Sequence, residues 1–447
     1  MHPPTLSEAS WEYNPLQVDA YLLYLASTHA QSEVIAADDI YSSTHSLIVK
    51  KDSAITPELA QSIMQSILAK PIEESVQLAW EIDAEKLLSD LTTVMREDDI
   101  FSAVNEHSHY LSLLAPLCQL INQFPILRQK LTIMLLALPE IYHRSLYSIW
   151  LSFCIAKEMR LSQDDIATVF MAALSHDIGM LHVNVEILQQ TTPLTAQDWM
   201  QIQRHVVIGH QLLKSMKTIP SAVAQAVYEH HEQSDGTGYP LGKLENELGL
   251  FGQIINVADA IVAIYFNHHK DQGRSWRDII PLIHMNASAY LTRANEVLLA
   301  ILRRCDLPRK NVVQGDETPE FIAELLQKNE QLKLWFDAMR ESLVSVGFRH
   351  GDKRLHALQN VMLHLATSAE GSGIFNDGKK DLLSAGDMPA DFSQQVEKMH
   401  LMQQEIIFHL QRLGRMTKLY LESGQCKDGG IKFALTLGLK RTQKYLL

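Results

Sequence analysis

From about residue 58 onward, apolar residues return every three or four positions almost without a break, which commits most of this chain to amphipathic helices. The stretch "HRSLYSIWLSFCIAKEM" places Leu146, Ile149, Trp150, Phe153 and Cys154 on one stripe. Ser162 with Asp165, and Thr195 with Asp198, have capping-box spacing and start the next two helices. Farther on, Phe392, Val396, Met399, Gln403, Ile406, Leu410, Leu413, Thr417 and Tyr420 alternate four and three apart as a heptad seam. Leu355, Leu358, Met362 and Leu365 form an earlier stripe able to pack against it. An intramolecular core is the plainer reading of these stripes, and a homodimer through the C-terminal helices is a secondary expectation. The pattern changes only near the N terminus. Residues 33–56 read as two short strands around a Ser-Ser-Thr-His turn, after which Thr56 caps a helix with Pro57 at its first position.

The fold class is therefore mainly α, and the 447 residues divide into three modules. Residues 1–97 form a small α+β module with nothing catalytic in it, a candidate regulatory element. Residues 98–312 are a string of helices, ended by a Pro-, Gly- and charge-rich break at 307–320. Residues 313–447 form a helical bundle for dimerisation or signalling, interrupted by a long loop at "SAEGSGIFNDGKKDLLSAGDM". The formal net charge of −13 argues against a nucleic acid polymer as partner, since phosphates reward a basic face. It leaves a small anionic ligand open. Cys118, Cys154, Cys305 and Cys426 are scattered with no CxxC pair and read as reduced thiols of a cytoplasmic protein. Apolar runs such as 131–138 are too short to span a bilayer, so no membrane is expected as partner.

Histidines and aspartates gather on the inward faces and ends of the middle helices. His176 and Asp177 end an apolar helix just before Gly179. An isolated pair of this kind is usually a capped helix end beside a solvated aspartate. Other residues change that balance. His205 shares a face with Ile202 and Val206, with Gly209 leaving room one turn on, and His230 and His231 follow one turn after Val227. Asp259 interrupts "IINVADAIVAIYF", where an unpaired carboxylate is costly and a metal is the simplest counter-charge. His143 heads the Leu146–Cys154 stripe and adds another inward imidazole. Five histidines and two aspartates make a mixed nitrogen and oxygen donor set suited to iron, manganese, zinc or a similar ion. Seven ligands exceed one tetrahedral ion and suit two ions bridged by a water and a carboxylate, with Asp177 as the natural bridge. His210 and the pair His268–His269 read as ordinary surface or core residues.

Taken together, His143, "HD" at 176–177, His205, "HHE" at 230–232, "DGTGYP" at 235–240 and "VAD" at 257–259 resemble the HD-GYP family in order and spacing. The resemblance covers about residues 98–312. It implies an all-helical HD-type phosphohydrolase domain that hydrolyses cyclic di-GMP to pGpG or GMP. It also implies a division of the ligands: His143, His176 and Asp259 for one ion, His205, His230 and His231 for the other, Asp177 between them. His176 and Asp177 are then the catalytic pair. Asp235, Gly236, Gly238, Tyr239 and Pro240 are the substrate contacts, the glycines letting backbone approach a nucleotide, and the loop is also a candidate surface for a protein partner. Two ions about 3.5–4 Å apart acidify a shared water and take up charge on the leaving oxygen.

This sequence departs from the family pattern at its cations. The lysine of HDxGK, which faces the substrate phosphate, is Met180 here. The position of a third-metal glutamate is Pro139, with Glu140 out of register, so two divalent ions, iron or manganese, are expected. Gln253, His268 and Asp271 stand where the family usually offers arginine or another cation, with Lys270 and Arg274 as candidate substitutes. Three readings follow: a cyclic di-GMP phosphodiesterase, an inactive or weak sensor of cyclic dinucleotides, and a hydrolase of another cyclic dinucleotide. The full ligand set favours an enzyme, and the depleted phosphate grip favours the others.

Overall fold

The computed structural model describes residues 13–445 except 65, 193, 271–274, 287–291, 306, 308–317, 348–350, 376–391 and 425. Residues 308–317 of the expected break, 376–388 of the expected loop, and Asp271 and Arg274 therefore lie outside the described residues. The chain is mainly helical, with short strands confined to its N-terminal part. It forms two compact units. One takes in the chain up to His231 together with Leu248–Val262, and the other takes in Glu232–Glu247 and the chain from Ala263 onward.

In the first unit, the strands lie where β-branched residues cluster. Ile40–Tyr41 pairs antiparallel with Leu47–Val49 around a turn in which His45 adopts φ 60°. Val34–Ala36 pairs with Val76–Leu78, a distant partner that the local pattern does not reveal. Thr56 caps helix Pro57–Ser62 by accepting the Leu59 N–H at 3.3 Å. The helix stops well short of Leu68, because Ile67 and Leu68 leave to bridge with Gln17 and Ser42.

Helix Pro139–Glu158 forms the centre of this unit. Leu146, Ile149, Trp150, Phe153 and Cys154 are buried, as the stripe implies, but so is every other residue from Ser145 to Ala156. Three of those residues are serines, which is why the sequence looks amphipathic while the helix is enclosed on all sides. Both helices start as expected: Ser162 caps Gln163–Ser175 by accepting the Asp165 N–H, and Thr195 with Asp198 forms a full capping box on Ala196–Gln203. Among the described residues, Leu250–Asn267 is long and apolar enough, by length and composition alone, to cross a membrane, with half of it buried inside the protein. This corrects the expectation that every apolar stretch is too short. Gln253, Asn256 and Asp259 punctuate the stretch and hide its length from a search for unbroken runs.

The second unit is built on helices Thr318–Ser345, Lys353–Ser372, Phe392–Glu422 and Gly429–Thr442. Seam positions Val396, Met399, Gln403, Ile406, Leu410, Leu413, Thr417 and Tyr420 are all buried within it. Ile406, Leu410, Leu413 and Tyr420 share one core with Leu355, Leu358, Met362 and Leu365, so this seam is satisfied inside the chain. Helix Lys353–Ser372 runs past Ser368, where a loop is expected, and ends at Gly373 in a left-handed conformation (φ 61°). All four cysteines are free thiols, with Cys118, Cys154 and Cys305 buried.

Trp150 is fully buried at the middle of the central helix. Trp150→Ala is expected to cost about 3–5 kcal/mol of unfolding free energy, read from a shift in denaturant midpoint at unchanged slope.

Candidate metal centre

Three of the seven expected ligands sit where a helix runs out. His176 follows helix Gln163–Ser175, His230 follows Ser221–Glu229, and His205 comes just after Ala196–Gln203 and opens His205–Ser215. The last four carbonyls of a helix lack amide partners, and each imidazole uses one of them. His176 Nδ1 is 2.7 Å from Ala173 O, His205 Nδ1 is 2.7 Å from Ile202 O, and His230 Nδ1 is 2.7 Å from Val227 O. A carbonyl only accepts, so each Nδ1 donates and carries a proton. In the neutral ring, Nε2 is then a lone pair, the tautomer that a metal-ligating histidine needs.

Those lone pairs converge. His205 Nε2 and His230 Nε2 are 3.3 Å apart, a repulsive approach for two acceptors unless a cation lies between them. Asp177 stands between two groups of imidazoles: its Oδ1 is 3.4 Å from His205 Nε2 and its Oδ2 is 3.2 Å from His176 Nε2. Asp259 Oδ1 lies 3.5 Å from His176 Nε2 and accepts a hydrogen bond from Ser148 Oγ at 3.2 Å. The ring of His231 lies 4.1 Å from that of His230. Asp177, His205, His230 and His231 bring ligand atoms within 4.8 Å of one another. His143 is half-buried with its ring edge-on to Tyr147 at 5.2 Å, and stands outside that group of four.

Burial opposes a positive charge on His176, His205 and His230, but the outcome differs by position. At His205 burial prevails over Asp177 and holds the imidazole below its usual range. At His230 burial is joined by His231, His176 and His205, and the ring is held well below that range. At His176 Asp177 and Asp259 outweigh burial and hold it well above. Although partial burial opposes it, the Asp177 carboxyl is held far below the usual carboxylate range, chiefly by His176. His176 Nε2 is buried and makes no hydrogen bond, although two carboxylates lie beside it. Imidazole nitrogens and carboxylates aimed at common points fit a transition-metal ion.

Close backbone approach makes the convergence possible. A Cβ on Gly179 would lie 2.1 Å from His205 O, so the turn Ile178–His182 reaches the His205 helix only as glycine. Gly209 leaves room on that helix for Val227, whose Cγ1 would lie 3.1 Å from a Cβ there. Asn256 Nδ2 donates to His230 O at 2.7 Å and ties the Asp259 helix to the His230 end. Ser148 and Asn256 are missed in sequence because a serine or asparagine in a helix has many ordinary uses. Only Asn256 carries a signal, a polar residue three before Asp259 in an apolar helix.

The loop carrying Asp235, Gly236, Gly238, Tyr239 and Pro240 belongs to the second unit. Glu232 closes it, accepting the Leu241 N–H at 2.6 Å and the Lys243 N–H at 2.9 Å. Asp235 is 2% exposed, and its Oδ1 accepts from Thr237 N–H at 2.9 Å. Gly236 has φ 78°, a conformation that favours glycine. Gly238 and Pro240 are buried, Tyr239 is half-buried, and the Tyr239–Pro240 peptide is cis. Met180 is half-buried, Gln253 is buried, and Lys270 Nζ lies 4.3 Å from the centre of the Phe266 ring.

The family described as HD domain matches residues 130–288. Over 116 residues the chain is 36% identical to a cyclic di-GMP phosphodiesterase of Thermotoga maritima, covering 26% of this chain and 32% of that protein. It is 36% identical over 110 residues to a 3′3′-cGAMP-specific phosphodiesterase of Vibrio cholerae, covering 25% of this chain and 24% of that protein. A cyclic di-GMP phosphodiesterase of Pseudomonas aeruginosa is 30% identical over 116 residues, covering 25% and 28%. The chain thus matches less than a third of each relative's length.

Divalent metal is expected to stabilise this unit, by about 2.7 kcal/mol at one hundred times the dissociation constant. Gly179→Ala should abolish most of that gain by pushing the turn off His205. Thermal unfolding of chelator-stripped protein with and without Mn²⁺ measures both effects, and a wild type indifferent to metal contradicts the site.

Proposed function

We propose that this chain, an HD-domain protein through residues 130–288, is a metal-dependent phosphodiesterase that cleaves cyclic di-GMP to pGpG or GMP. The observation that carries the reading is the position of Asp177, with one carboxylate oxygen towards His176 and the other towards His205. A carboxylate so placed suits a bridge between two ions, iron or manganese. His143, His176 and Asp259 would hold one ion, and His205, His230 and His231 would hold the other. Such ions supply a water acidic enough to attack phosphorus near neutral pH.

The chain's own residues prepare that chemistry. Helix-end carbonyls accept the Nδ1 proton of three imidazoles and leave Nε2 facing the site. Ser148 orients Asp259 by donating to its carboxylate. The fully buried His176 and His230 and the nearly buried His205 restrict water to the face where Asp177 remains partly exposed. The loop from Asp235 to Pro240 is assigned to the substrate, with half-exposed Gly236 and Tyr239 as its contacting residues. Met180 weakens the phosphate grip without touching the nucleophile.

A second reading has specific support. Met180 in place of a phosphate-facing lysine, together with the likeness to a 3′3′-cGAMP-specific phosphodiesterase, favours a different cyclic dinucleotide or a sensor that binds without turnover. A panel of cyclic di-GMP and 3′3′-cGAMP, assayed with Mn²⁺ or Fe²⁺, separates the three. Cyclic di-GMP hydrolysis is expected in the wild type, with a loss of about a thousandfold or more in Asp177→Ala. Met180→Lys is expected to lower KM for cyclic di-GMP about three- to tenfold, in line with one added charge-assisted contact. Binding of either dinucleotide without turnover supports the sensor, and neither binding nor turnover contradicts both readings.

A further inference from the structure

The glycine-rich loop is held by residues far from it in sequence. Arg412, on helix Phe392–Glu422, is 7% exposed. A guanidinium that deeply enclosed needs partners, and its hydrogen bonds run to the loop. One amino group donates to Gln233 Oε1 at 2.8 Å and also to Thr237 Oγ1. Thr237 in turn donates to Asp235 Oδ1 at 2.5 Å, so Arg412 reaches the Asp235 turn through one hydroxyl. Helix Lys353–Ser372 adds a second hold: Asn360 Nδ2 donates to Asp235 O at 3.3 Å, and His364 Nδ1 lies 3.8 Å from Asp235 Oδ2. Burial raises the Asp235 carboxyl, but His364, Arg412 and Thr237 outweigh it and keep it below the usual range.

The geometry points to Arg412 as a positioning residue for the 233–237 turn, through which the C-terminal bundle sets the shape of the loop that receives the cyclic dinucleotide. The role rests on the reading of that loop as the substrate loop. The loop's internal closure by Glu232 fixes where its two ends meet, but leaves its orientation to outside contacts. Those contacts come from two helices of the bundle, and Arg412 is the charged one. Both bonds leave one guanidinium nitrogen, so it is the reach and charge of that nitrogen that hold the turn.

Hydrogen exchange on the full chain tests this without metal or substrate. In Arg412→Met, which keeps most of the side-chain volume, amides between 234 and 245 should exchange at least about tenfold faster, with helix 392–422 unchanged. If Arg412→Met loosens the whole helix, Gln233→Ala removes one partner from the loop side and decides instead. In an active wild type, Arg412→Met should raise KM for cyclic di-GMP about tenfold and leave kcat within threefold, a split that a general loss of stability would not produce. Unchanged exchange, or faster exchange with unchanged KM, overturns the positioning role. A wild type that turns over no dinucleotide sinks the proposed function instead, and the exchange comparison then decides this one alone.

Discussion

The approach of His205 Nε2 to His230 Nε2 at 3.3 Å, beside a carboxylate shared with His176, is the constraint on which the first unit depends. Neutral imidazoles do not pack lone pair to lone pair for their own sake, and carboxylates are not enclosed without a counter-charge. The surrounding fold imposes the arrangement. Unpaired carbonyls at three helix ends orient the rings, and glycine at 179 brings two backbones into contact. Central helix 139–158, buried on every side from Ser145 to Ala156, contributes Ser148 to the same point. A cation held among these groups is therefore expected to stabilise this unit.

The second unit solves a different problem. Its heptad seam closes on its own helices, with Gln403 Nε2 donating to Leu325 O at 2.8 Å inside the core. What the seam holds in place includes Arg412, on the same long helix, and so the conformation of the 235–240 loop. A loop with glycines at left-handed positions has little intrinsic preference for one shape, and its geometry is borrowed from the bundle.

Much of this was legible in the sequence, and the reasons are local. Helix starts at Ser162 and Thr195 follow from side-chain capping within four residues. The inward position of His176, His205 and His230 follows from apolar periodicity on their own helices. Strand Val76–Leu78, the full burial of helix 139–158 and the membrane-length stretch at 250–267 were hidden, because each depends on distant partners or on polar residues that interrupt a run. Arg412 was hidden for the same reason. An arginine among heptad residues reads as a solvated flank until the fold brings the loop to it. The residues proposed as ligands were visible, whereas the way their rings are oriented needed the helix-end carbonyls.

The most direct test of the metal centre is electron paramagnetic resonance of chelator-stripped protein titrated anaerobically with Mn²⁺. Two bound ions per chain with an exchange-coupled spectrum, collapsing to weak mononuclear binding in Asp177→Asn, is the predicted result. A spectrum that remains that of free hexaaquo Mn²⁺ throughout the titration would contradict the account at its centre.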